Sequence, residues 1–172
     1  AFKNSEVKKV TLSEGLNAIR ADAFNNSSLE EINLPKSLVY IEDGAFANTK
    51  IKKINIPVNL KTIPARAFAN SELEEISYAL NCKLETIYEE AFKNTKLREL
   101  VLPNSVKTLN RLSFAENRYL KHITFSNQML NIPPSCFSGA KELEEVTIPD
   151  KIFGIGKQAF EGCFNLKKIN IS

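Results

Sequence analysis

The chain has 172 residues, 43% of them hydrophobic, and 23 Lys and Arg stand against 20 Asp and Glu for a formal net charge of +3. A chain of this size supports one buried core rather than two, so residues 1–172 are expected to form a single domain. The slight basic excess is interleaved with acid, which argues against a nucleic-acid or polybasic membrane surface, and no apolar run approaches the roughly 20 residues that cross a bilayer.

The opening residues AFKNSEVKKV lack the apolar stretch of a signal peptide and instead begin a pattern. The pair Ala1-Phe2 recurs as Ala23-Phe24, Ala45-Phe46, Ala67-Phe68, Ala91-Phe92, Ser113-Phe114, Cys136-Phe137 and Ala159-Phe160, at intervals of 22 to 24 residues. A fixed period of this length marks a stack of units that bury a shared apolar column. The small residue before each phenylalanine fits close packing of neighbouring turns, and Cys136 takes that place as a small buried hydrophobe. Two residues after each phenylalanine come Asn4, Asn26, Asn48, Asn70, Asn94, Glu116, Gly139 and Gly162. Asn and Gly enter left-handed backbone cheaply, so a short helical turn is predicted to end there, with Asn117 standing in for Glu116.

Next along each unit is an apolar triplet, as in Leu29-Ile32-Leu34, Ile51-Ile54-Ile56 and Leu97-Leu100-Leu102. Its last two members alternate with a polar residue, the period of a half-buried strand. Pro35, Pro57, Pro103 and Pro149 then stop the strand, because proline has no N–H for the ladder. A second apolar pair, such as Leu38/Ile41 or Leu60/Ile63, forms the return limb. The expected fold class is therefore an α/β repeat solenoid: about eight units of 22–24 residues, with a parallel β-sheet on one face and helical turns elsewhere. Two extra residues around Asn81-Cys82 are expected to make a small bulge.

The residues before each central strand position face solvent in this scheme. They read Lys8-Lys9, Glu30-Glu31, Lys52-Lys53, Glu74-Glu75, Arg98-Glu99, Lys121-His122, Glu144-Glu145 and Lys167-Lys168. Opposite charges on adjacent strands attract, so the alternation of sign is expected to set the stacking register. It fails where Glu99 follows Glu75 and Lys121 follows Arg98. That irregular middle, comprising Arg98, Glu99, Val101, Lys121, His122 and Thr124, is the candidate binding site on the sheet face. His122, between Glu99 and Glu145, is read as another cationic rung, with a pH-responsive contact as the alternative. On the return limb Val39, Tyr40, Leu130 and Phe153 occupy positions that other units fill with polar residues, and they form a second candidate, an apolar interface.

The assembled unit, L-x-x-I-x-L-P-x-x-L-x-x-I-x-x-x-A-F-x-N, resembles the leucine-rich repeats of the BspA-like, Treponema-type class. The match is strongest in LEEINLPKSLVYIEDGAFANT from Leu29 to Thr49 and in LEEVTIPDKIFGIGKQAFEGC from Leu143 to Cys163. This resemblance implies a cell-surface or secreted adhesin that binds host or partner proteins; a structural stalk within a larger surface protein is the alternative. Two departures stand out: the glycine after the second isoleucine survives only as Gly156, and the cysteine after the A-F turn only as Cys163.

No catalytic constellation is visible. A single histidine leaves most triads and metal sites without a member, and Cys82, Cys136 and Cys163 form no C-x-x-C pair, so no metal and no cofactor are expected. Gly154-Ile155-Gly156-Lys157 sits at a repeat position, where it reads as a turn rather than a phosphate loop. The implied partner is a protein, with no nucleic acid and no direct membrane insertion of this segment. Neither end carries a polar cap, so the chain is expected to be part of a longer repeat protein or to self-associate end to end.

Overall fold

The computed structural model describes residues 1–171. Triplets and return pairs alternate as strands, beginning β1 (Lys9–Thr11), β2 (Ala18–Ile19), β3 (Glu31–Asn33), β4 (Tyr40–Ile41) and β5 (Lys53–Ile56). They continue as β6 (Thr62–Ile63), β7 (Glu75–Tyr78), β8 (Thr86–Ile87), β9 (Glu99–Val101) and β10 (Thr108–Leu109). The last five are β11 (His122–Thr124), β12 (Asn131–Ile132), β13 (Glu145–Ile148), β14 (Gly154–Ile155) and β15 (Lys168–Ile171). Odd-numbered strands line one face and even-numbered ones the return limb, so the chain winds through about seven turns between β1 and β15 rather than forming eight complete units.

All pairing is parallel and advances by one repeat. Val10 lies beside Ile32, Ile54 beside Ile76, Leu100 beside Ile123 and Val146 beside Ile169. The register follows from burial: a slip of one residue would turn each inward isoleucine or leucine to solvent. Among the described residues the face is not one continuous ladder. It consists of the ribbons β1-β3, β5-β7, β9-β11 and β13-β15, which lie side by side. The return limb, expected only as an apolar connection, is itself a strand layer, with β2-β4, β6-β8-β10 and β12-β14 hydrogen-bonded. The two-residue insertion leaves this layer in register, since Thr62 still faces Thr86. Its length is absorbed in the Ala79–Cys82 turn, closed by Cys82 N–H donating to the Ala79 carbonyl, with Asn81 at φ 58°.

The helical turn expected at the A-F-x-N segment is absent: no helix occurs among the described residues. The turn does start as a helix would, with i→i+3 bonds from Ala23, Asn25 and Ser27 N–H to the carbonyls of Arg20, Asp22 and Phe24. The intervening N–H groups are diverted, however. Those of Asp22, Phe24 and Asn26 donate to the carbonyls of Asp43, Ala45 and Ala47 in the next coil. A helix needs its N–H groups aligned along one axis, and here every second one serves the neighbour. The diversion requires left-handed backbone at two places per coil. One is the anticipated asparagine column, Asn4, Asn26, Asn48, Asn70 and Asn94, at φ between 53° and 59°. The other, held by Asp22, Gly44, Arg66, Glu90, Leu112, Ser135 and Gln158, follows no residue preference and was not anticipated.

Inside, seven successive pairs of the phenylalanine column stack with ring centroids 5.2 to 5.7 Å apart and interplanar angles of 1° to 12°. Offset stacking of this kind adds about 0.5–1.5 kcal/mol per pair to the burial of the rings. Beside the rings runs a column of buried hydroxyls: Ser27, Thr49 and Ser71 donate to the carbonyls of Phe24, Phe46 and Phe68. Asn117 belongs to this column rather than to the left-handed one. Glu116 itself adopts φ 61°, while the buried Asn117 amide donates to the Phe92 and Phe114 carbonyls at 2.8 Å and its oxygen accepts from Thr95. Cys136 is fully buried against Ser113, and burial pushes its thiol up to about 12.

Three outcomes follow. Phe68→Ala should cost about 3–5 kcal/mol in urea denaturation, because the cavity opens between two rings that cannot close over it. Asn48→Gly should be nearly neutral, whereas a β-branched Asn48→Val, strained at positive φ, should cost about 1–3 kcal/mol in the same assay. Iodoacetamide at pH 8 should leave Cys136 unmodified in the native protein and alkylate it fully in urea, read by peptide mass.

Candidate functional site

The outer face of the ribbons is built from the residues that alternate with the buried ones. On it Lys9 meets Glu31 at 2.8 Å, Lys53 meets Glu75 at 2.8 Å and Lys168 meets Glu145 at 2.9 Å. The hydrogen-bonded Glu31 and Glu75 carboxylates raise the Lys9 and Lys53 ammonium groups above their usual range, and Lys168 with Asn170 holds Glu145 below the usual carboxylate range. These pairs are exposed, so each is worth only about 0–1 kcal/mol. The floor between them is mainly polar, with Ser77 donating to Asn55 at 3.0 Å.

The candidate residues fall on this face as expected. Arg98, Glu99, Val101, Lys121, His122 and Thr124 are all exposed, on or just before β9 and β11, with His122 in register with Glu99 and Thr124 with Val101. No hydrogen bond or ion pair joins His122 to Glu99 or Glu145 among the described residues, so the pH-responsive contact is not assembled within this chain. Arg98, Glu99 and Val101 line one open concavity of ≈ 450 Å³ with Lys53, Glu74, Glu75 and Ile76, where β7 and β9 part. His122 and Thr124 line another, of ≈ 460 Å³, with Glu144, Glu145 and Lys168. Five of the six residues thus divide between two shallow depressions, and Lys121 lines neither, pairing instead with Glu142 at 3.5 Å. A larger depression of ≈ 660 Å³ lies where β3 and β5 part, around Glu31, Lys50, Lys52 and Lys53. Lys50 belongs to a further exposed column with Glu72, Lys96 and Glu142, which the period of the repeat could have revealed one step before the triplet.

The apolar candidates do not form one surface. Val39 is half-buried and Tyr40 is 64% exposed, on β4 and the residue before it. Leu130 and Phe153, 52% and 81% exposed, lie four and five coils further along and adjoin each other, with Phe153 N–H donating to the Leu130 carbonyl at 3.0 Å. The Gly154–Gly156 segment, read as a turn, is instead strand β14 and its exit. A Cβ on Gly156 would stand 2.4 Å from the Pro134 nitrogen, so glycine is required by the neighbouring coil's approach rather than by a ligand.

Chemically the face offers charges and short hydroxyl and amide groups on an open surface. Such a surface suits an extended protein partner better than an enclosed small molecule. Among the described residues no group of three His, Cys, Asp or Glu side chains could hold a metal ion, and no helix is long and apolar enough to cross a membrane.

Comparison with known proteins places this architecture. No curated protein sequence matches the chain. A crystal structure of a leucine-rich repeat protein from Bacteroides ovatus superposes with a TM-score of 0.80 at 28% identity, covering 100% of this chain and 51% of that one. The pneumococcal vaccine antigen PcpA matches with a TM-score of 0.58 at 24% identity, over 96% of this chain and 62% of its own. A leucine rich cell surface protein of Faecalibacterium prausnitzii matches with a TM-score of 0.50 at 22% identity, over 96% and 60%. The latter two likenesses are of fold alone, and this chain spans about half to three fifths of the length of these three structures. The family model for the BspA type leucine-rich repeat region matches in six copies, over residues 1–120 and 78–172. With its coils, its phenylalanine column and its asparagine turns accounted for, the chain belongs to the BspA-type leucine-rich-repeat family.

Proposed function

We propose that this chain is a non-enzymatic protein-binding segment of a cell-surface or secreted protein, and that it engages a host or partner protein through the outer face of its ribbons. Leucine-rich-repeat arrays are in general protein-interaction scaffolds, and this one offers a flat, charged, polar-floored surface. The observation that carries the reading is the middle of that face. There Arg98, Glu99 and His122 make no ion pair among the described residues, and Val101 is 49% exposed on an otherwise polar floor. Surface location is supported by the descriptions of two structural neighbours, one a leucine rich cell surface protein and the other a vaccine antigen.

A spacer role within a larger surface protein is the second reading. It is favoured by the uninterrupted phenylalanine stack, since coils that contact only their neighbours can be added or removed without altering the rest. The two readings diverge in what they require of side chains. In a surface-immobilised binding screen against purified extracellular proteins, the combined variant Arg98→Ala, Glu99→Ala, Val101→Ala and His122→Ala should weaken any hit at least about tenfold, as expected when a central cluster is lost. Tyr40→Ala on the return limb should leave it unchanged. Hits insensitive to the four substitutions would overturn the sheet-face reading and leave the spacer.

A further inference from the structure

Charge on the outer face is sorted by strand. Lys50, Lys52 and Lys53 lead into β5, whereas Glu72, Glu74 and Glu75 lead into β7 and Glu142, Glu144 and Glu145 into β13. Pairing between neighbouring strands uses mainly the column nearest the strand. One column earlier, Lys8 pairs with Glu30 and Lys121 with Glu142, whereas Lys52, Glu74, Arg98, Glu144 and Lys167 make no ion pair among the described residues. Exposed charges of a single sign, arranged in bands and only partly paired within the chain, are the pattern of one half of a complementary surface.

The structure of the other half can be read from the same chain. We propose that this face docks on the same face of a second copy, antiparallel, about a two-fold axis lying along β9; the proposal rests on the face being the binding surface. That rotation sets β3 opposite β15, β5 opposite β13 and β7 opposite β11. The bands of β3, β5 and β7 then meet bands of opposite sign on β15, β13 and β11. Glu30 and Glu31 face Lys167 and Lys168, Lys52 and Lys53 face Glu144 and Glu145, and Glu74 and Glu75 face Lys121 and His122. In the outer column Lys50 stands opposite Glu142, while Lys96 lies on the axis opposite its own copy. An axis shifted by half a coil in either direction instead sets β5 opposite β11 or β15, bringing lysine onto lysine.

The floor of the face supplies an independent observation. Its residues are Thr11, Asn33, Asn55, Ser77, Val101, Thr124, Thr147 and Asn170, polar everywhere except at Val101 on β9. The axis passes through that position, so the one exposed apolar residue of the floor packs against its own copy. Arg98 and Glu99, which broke the charge alternation, lie one residue apart along the axis; each faces its own copy, and a one-residue diagonal brings each Arg98 to the Glu99 of the second copy. A two-fold contact is isologous and closes on itself, which limits the assembly to a dimer.

The contact is modest in size. Seven strands at about 4.8 Å and five residue steps at about 3.3 Å make a patch of roughly 30 by 17 Å, or about 1,000 Å² in total, near the lower bound for a specific interface. Self-association should therefore be reversible and strongly dependent on salt, since the Debye length falls from about 10 Å at 0.1 M to about 3 Å at 1 M.

Sedimentation velocity over a concentration series decides the matter. The chain should form dimers at about 0.05 M NaCl and none larger, and should be monomeric at about 1 M. Lys52→Glu and Glu144→Lys, each at a position without an ion pair in the chain, should each weaken self-association by at least about tenfold, because each sets two like-charge contacts across the axis. Mixing the two variants should restore a dimer, now a heterodimer in which both contacts are attractive. Restoration also shows that both variants are folded. A monomer at low salt, species larger than a dimer, or a mixture that stays monomeric would overturn the proposal. Retention of a protein hit in the binding screen by a chain that never dimerises would leave the binding-face reading standing without it.

Discussion

Every layer of this molecule depends on one constraint: each residue must sit beside its own equivalent one coil away, at the spacing of a parallel strand pair. Phenylalanine on phenylalanine, isoleucine on isoleucine and asparagine on asparagine are consequences of it. A single coil has too little apolar surface to offset the conformational entropy of ordering its backbone. Burial is achieved between coils, and so is most hydrogen bonding, including that of the turn segment, where alternate N–H groups cross to the next coil.

The same constraint explains why charge is patterned as it is. Equivalent positions on adjacent strands lie close enough for like charges to repel, so columns of one sign are unstable and alternation is favoured. Alternation between neighbours, however, produces bands of one sign along each strand. Lys53 with Glu75 illustrates the first effect and the Lys50, Lys52 and Lys53 band the second. Requirements of internal register thus leave an external pattern of charge on the outer face.

Irregularities have different standing in such an array. The extra residues at Asn81 and Cys82 are carried by a turn and leave the register of the return limb undisturbed, because an exposed loop closes at little extra entropic cost. Gly156 and Asn117 look like departures from the pattern, yet the first accommodates the Pro133–Pro134 backbone and the second replaces a hydroxyl in a buried column. Val101 has no such internal account. It is exposed among polar neighbours, and no packing or hydrogen bond within the array requires an apolar residue there.

Much of the fold was legible in the amino-acid sequence by itself. The period, the phenylalanine and alanine columns, the alternating strand residues, the proline stops and the left-handed asparagines each express a local preference repeated in every coil, and the exposed candidate positions on β9 and β11 followed from them. Tertiary structure alone decided the rest. The A-F-x-N segment is helical in its local hydrogen bonds and was expected to be a helix, but the carbonyls of the next coil capture alternate N–H groups. A second left-handed position, occupied by residues as unlike as Arg66 and Leu112, is imposed by those bonds and by no side-chain preference. The parting of the face into ribbons, the half-burial of Val39, the division of the candidate residues between two depressions and the choice of which charges pair likewise depend on distances between coils. Local preference acts within a few residues of chain, whereas all of these were settled some 22 residues away.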